Sequence, residues 1–136
     1  MPVALQKDSV DLGIVAVNGE AMVAFYRDLL GFVEEPQTPF PMGGVMHRLR
    51  CGTSLIKLVV PDQAPAARPE PGPITQASGV RYWTMIVTNL EEIMAECEAA
   101  GHPITVPVTE VRPGVTIGMV ADPDGNWVEF VEMASA

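Results

Sequence analysis

Two hydrophobic periods alternate along the chain. Residues 11 to 17 alternate in twos, with Leu12, Ile14 and Ala16 on one side and Asp11, Gly13 and Val15 on the other, which predicts a strand. From residue 19 the period changes. Met22, Phe25 and Leu29, widened by Tyr26 and Leu30, form the apolar stripe of a helix that Asn18 caps and Gly31 stops. Short strands are expected at 32–35, 45–51 and 55–60, the last two joined by a tight turn at Gly52-Thr53. Pro36, Pro39 and Pro41, with Gly43-Gly44, predict a loop that could lie over a pocket mouth. Residues 61 to 79 carry prolines 61, 65, 69, 71 and 73 without apolar periodicity and read as a linker.

Beyond the linker the pattern begins again. Residues 81–87 read as a strand. Asn89 caps a helix with Glu92 completing a capping box, and Leu90, Ile93, Met94 and Cys97 form its stripe before Gly101. Strands follow at 104–108, 115–120 and 127–131. Asp122-Pro123-Asp124-Gly125 supplies the last turn. Asn18 and Asn89 stand 71 positions apart, as do Asp11 and Tyr82. The expected fold is therefore α+β: one domain over 1–136 built from two tandem βαβββ modules, about 9–60 and 80–133. Neither module buries its faces alone, so they should pair with pseudo-two-fold symmetry into a concave mixed sheet backed by helices.

Period two then assigns side chains to the concave face. Asp11, Gly13 and Val15 should face it, and by the repeat so should Tyr82, Thr84 and Ile86. Counting outward from Gly52-Thr53 sets Arg50 opposite Leu55, Leu49 opposite Ile56, Arg48 opposite Lys57 and Met46 opposite Val59. Met46, Arg48, Arg50, Lys57 and Val59 line the concave face, while His47, Leu49, Ile56 and Leu58 face the helix. Trp127, Glu129 and Val131 share one side of the final strand, with Met119 opposite Glu129. His47 reads as a satisfied core or edge histidine and His102 as a loop residue. Cys51 and Cys97 read as packing, and Asp122 and Asp124 as turn formers.

Composition narrows the functional classes. A chain of 136 residues with 48% hydrophobic content supports a real core. No apolar run reaches the roughly 20 residues that span a bilayer. The first residues lack a signal-peptide layout and the two cysteines form no motif, so a cytoplasmic, reduced location is expected. A net charge of −9 argues against nucleic acid and acidic membranes as partners.

Phe25-Tyr26-Arg27-Asp28-Leu29-Leu30-Gly31-Phe32, the duplicated module and Asp122-Pro123-Asp124-Gly125-Asn126-Trp127-Val128-Glu129-Phe130 together resemble the vicinal oxygen chelate superfamily. That superfamily includes glyoxalase I, extradiol dioxygenases and the bleomycin-resistance proteins. The resemblance spans nearly all of residues 9 to 133. It implies a small-molecule ligand and a homodimer. It also implies four metal-ligand positions, occupied here by Asp11, Lys57, Tyr82 and Glu129. Only Glu129 matches outright. Lys57 has no lone pair to offer and Tyr82 is a poor ligand, so neither a metal nor another cofactor is expected.

The substituted positions suggest other chemistry. Lys57 and Arg48 could steady a carboxylate or oxyanion, Glu129 or Asp11 could move a proton, and Tyr82 could donate a hydrogen bond. Trp127, Met119 and Met46 would complete the binding wall, with Phe40 a further aromatic. One expectation is thus an isomerase- or lyase-type enzyme acting on a small anionic or carbonyl compound. The alternative is a non-catalytic protein that binds or sequesters a small molecule, as bleomycin-resistance members do; a metal-dependent lyase or dioxygenase is a third reading. Arg48 with Glu129, or Lys57 with Asp11, could instead be internal ion pairs.

Overall fold

The fold comes from a computed structural model that describes residues 2–70 and 72–134. Met1, Ser135, Ala136 and the Pro71 expected in the linker lie outside the described residues. The chain divides into two compact units at Arg68–Pro69, inside the Pro-rich stretch.

Unit one contains β1 (Leu12–Val15), helix α1 (Gly19–Val23), β2 (Val33–Pro39), β3 (Gly44–Cys51) and β4 (Ser54–Pro61). The sheet order is β1-β4-β3-β2, with β1 parallel to β4 and the other pairs antiparallel. The strand register agrees with the count from Gly52-Thr53 at every pair: Cys51 opposes Ser54, Arg48 opposes Lys57 and Met46 opposes Val59. The Asn18 side chain accepts a hydrogen bond from the Ala21 amide (3.3 Å), as a cap should.

The helix departs from its expected winding after Val23. Residues Ala24–Leu29 form a π-helical stretch in which the Leu30 amide reaches the Phe25 carbonyl. A π turn advances less per residue than an α turn. Met22, Phe25 and Tyr26 therefore enter the core, while Leu29 stops half-buried. Tyr26 is the hub of this core, edge-on to Phe25 (centroids 4.8 Å apart) and close to Phe32 (5.7 Å). Leu49, Ile56 and Leu58 close it from the sheet.

Unit two contains β5 (Tyr82–Ile86), α2 (Leu90–Ala99), β6 (Ile104–Arg112), β7 (Val115–Ala121) and β8 (Trp127–Met133), in sheet order β5-β8-β7-β6. It repeats unit one's topology, so the α+β architecture of two similar modules is as expected. Helix α2 packs on β6, β7 and β8. Leu90, Met94, Cys97, Val120, Val128 and Phe130 form that core.

Four local expectations need correction. Strand β2 runs to Pro39, so the loop expected over 36–44 shrinks to a turn around Phe40–Gly43. Prolines 36 and 39 are tolerated because β2 is an edge strand with an irregular register between Glu35 and Thr38. The Pro-rich stretch is not wholly structureless: β4 takes in Pro61, and Ile74–Gln76 form a 3-10 turn. Asn89 makes no side-chain cap bond; Glu132, from β8, accepts the Leu90 amide instead (3.0 Å). His47 is not satisfied, because its buried Nδ1 has no hydrogen-bond partner among the described residues.

Candidate functional site

In unit one, the sheet face turned away from Leu49, Ile56 and Leu58 carries a row of four positions. Across β1, β4, β3 and β2 it reads Gly13, Lys57, Arg48, Glu35. Two cations thus stand directly opposite each other on neighbouring strands, an arrangement that repels. Within unit one, neither Lys57 nor Arg48 makes a hydrogen bond or ion pair among the described residues. Glu35 opposes Arg48 in register, yet its carboxylate lies 3.7 Å from Nε of Arg50. Arg50 also reaches the Gly52 carbonyl and is mostly exposed, a rim charge. Beside Lys57 the strand offers Gly13, where an added Cβ would meet nothing within 4 Å. The sheet surface beside Lys57 is therefore open at Gly13. Met46 lies on the same face, opposite Val59.

Asp11 is occupied. Its Oδ1 accepts from Lys7 Nζ (2.5 Å) and from the Leu55 amide (2.8 Å). The Lys7 bond first, and the Leu55 amide second, hold its carboxyl below the usual aspartate range, with Lys57 a minor influence. Asp11 ties the entry of β1 to the start of β4.

In unit two, the corresponding row reads Thr84, Glu129, Met119 and Val106 across β5, β8, β7 and β6. Strand β8 is interior to the sheet, so Glu129 sits on a face and not at an edge. The Thr84 hydroxyl donates to Oε1 of Glu129 at 2.7 Å. That bond orients the carboxylate and leaves Oε2 available. Met119, beside it, is 2% exposed. Tyr82 and Trp127 are register partners one row along; Tyr82 is 44% exposed, and the Trp127 indole lies against Gly72. The turn leading into β8 is built by buried Asp122, whose Oδ1 accepts from the Asp124 and Asn126 amides (3.0 and 2.9 Å).

A sequence profile of the glyoxalase, bleomycin resistance protein and dioxygenase superfamily matches residues 10–130. The chain belongs to this superfamily. Among solved structures, it is similar to a glyoxalase family protein from Bacillus cereus (TM-score 0.81, 13% identity, covering 98% of this chain and 97% of that one). It is similar to lactoylglutathione lyase from Agrobacterium tumefaciens (0.65, 24%, covering 97% and 95%). It is also similar to the trypanothione-dependent glyoxalase I of Leishmania major (0.69, 19%, covering 90% and 84%). At these identities the likeness establishes the fold. No match was found among curated protein sequences.

The metal implied by part of the superfamily does not fit the residues present. Of the four positions, Lys57 carries a cation, Tyr82 a neutral phenol that is a poor ligand, and Asp11 has one oxygen committed twice. Among the described residues no group of three or more His, Cys, Asp and Glu lies together.

Sequence reasoning missed Glu35 and the role of Thr84. Glu35 escapes because Pro36 and Pro39 predict that the strand ends there. The alternation Val33, Glu35 against Arg50, Arg48 was the available signal. Thr84 was placed on the correct face, but its bond to Glu129 depends on the parallel β5–β8 register, which no turn dictates.

Proposed function

We propose that this chain binds a small organic anion or carbonyl compound through Arg48 and Lys57. We further propose that Glu129, held by Thr84, transfers a proton in an isomerase- or lyase-type reaction. The observation that carries the reading is the facing pair of cations, neither of which makes an ion pair within its own unit among the described residues. Leaving such a pair uncompensated costs stability and is retained where a ligand supplies the missing charge. Arginine's planar fork suits a carboxylate, and lysine adds a mobile point charge. Glu129 is the better base of the two candidate carboxylates: Asp11 is bonded twice and held in its ionised form, which makes it a weak proton acceptor. Met46 supplies contact surface beside Arg48 and Lys57, and Tyr82, Trp127 and Met119 supply it beside Glu129. We propose a cytoplasmic homodimer as the working form, checked by light scattering.

The test is incubation with a panel of small 2-oxo and 2-hydroxy acids in D2O, read by NMR and mass spectrometry. Deuterium should enter next to the carbonyl of the true substrate, and E129Q should abolish its entry while keeping binding. Binding of a panel member without exchange or product would remove the catalytic step and leave a sequestering protein.

A further inference from the structure

We propose that Arg81 clamps residues 72–76 onto the indole of Trp127, turning part of the Pro-rich stretch into a fixed end wall of the unit-two face. Prolines remove backbone N–H donors but leave carbonyls, so such a segment cannot order itself with its own ladder. Arg81 supplies what it lacks. Its Nε donates to the Ile74 carbonyl (2.9 Å) and its Nη2 to that of Pro73 (3.2 Å), and Nη1 reaches the Glu70 carbonyl (2.7 Å). A rigid fork of donors can hold several carbonyls at once, and a lysine cannot. Arg81 immediately precedes β5, so the clamp is rooted in the sheet.

The other end of the contact is Gly72. A Cβ at this position would run into Cζ2, Cε2 and Nε1 of Trp127, so the glycine backbone lies directly on the ring. Trp127 shares its face with Glu129 two residues along β8, about 7 Å at the usual strand rise. The wall therefore bounds the space beside Glu129 at the Trp127 end. Arg81 is a positioning residue, acting through the segment and touching no ligand. The consequence for ligand size rests on the proposed role of Glu129 above: a ligand that reaches Glu129 should be short toward Trp127, and long ones should be rejected at that end.

The chain has two tryptophans, so W83F leaves Trp127 as the sole indole reporter. In that background, R81M should raise the acrylamide quenching constant at least about twofold, as a shielded ring becomes free, with unchanged far-UV circular dichroism. R81K should return part of the protection. G72A, which forces segment and ring apart by a different route, should raise quenching too. Unchanged quenching in folded R81M and G72A would overturn the clamp. Straight-chain carboxylates from acetate to octanoate then test the size limit. The parent should bind the short members, and R81M should extend binding to longer ones. An identical length limit in both would overturn the wall's role in selection. A parent that binds no member would instead refute the anion reading, with the quenching result still deciding the clamp.

Discussion

Arg48 and Lys57 face each other on adjacent strands, and their repulsion is a cost the folded chain carries. Removing either charge should relieve it. R48M or K57M is expected to raise the stability of the free protein by about 0.2–1 kcal/mol, read from urea denaturation, while weakening ligand binding. A loss of stability would mean that the pair is structurally compensated. Asp11 behaves in the opposite way. Lys7 and the Leu55 amide lower its folded pKa, so its contribution to stability is present above the unfolded aspartate value of about 3.9 and is lost as pH falls through the lower folded value. Asp28 and Glu34, each held low by Arg27, follow the same sign. The urea midpoint should therefore fall below about pH 4. D11N should show a shallower acid limb than the parent, and an unchanged limb would show that Asp11 does not contribute. At this scale the sequence showed the residue types at Asp11, Lys57, Tyr82 and Glu129 and the strand faces they occupy. It did not reveal their local partners, because Lys7 and the Leu55 amide reach Asp11 through loop geometry that periodicity does not encode.

Among the elements, the β3–β4 hairpin was legible in full, since a two-residue turn with Gly52 dictates every cross-strand pair. Strand β2 was not, because proline reads as a strand breaker and only its edge position makes it tolerable. Helix α2 illustrates a local signal overridden from a distance. Asn89 and Glu92 have the spacing of a capping box, yet the cap that forms comes from Glu132 on β8, 42 residues from Leu90. E132A should then cost about 1 kcal/mol, and N89A much less. Equal costs in chemical denaturation would contradict this assignment of the cap.

For the whole molecule, the 71-residue offset between corresponding positions exposed the duplication before any strand pairing was known, and the two sheets have the same order and polarity. Fold and superfamily follow from that repeat and from the turn before β8. Chemistry does not follow from them, since one fold carries many activities. The overall charge of −9 opposes indiscriminate adsorption of anions, so an anion that binds must meet a local site strong enough to offset it. The direct measurement is a titration of 15N-labelled protein with pyruvate and, separately, with inorganic phosphate, followed through amide shifts. Saturable shifts should centre on Met46–Leu49 and Ile56–Leu58, and the R48M/K57M double variant should bind at least about tenfold more weakly, as loss of charge-assisted bonds requires. No saturable shift with either anion, or equal affinity in the double variant, would contradict an anion site on Arg48 and Lys57.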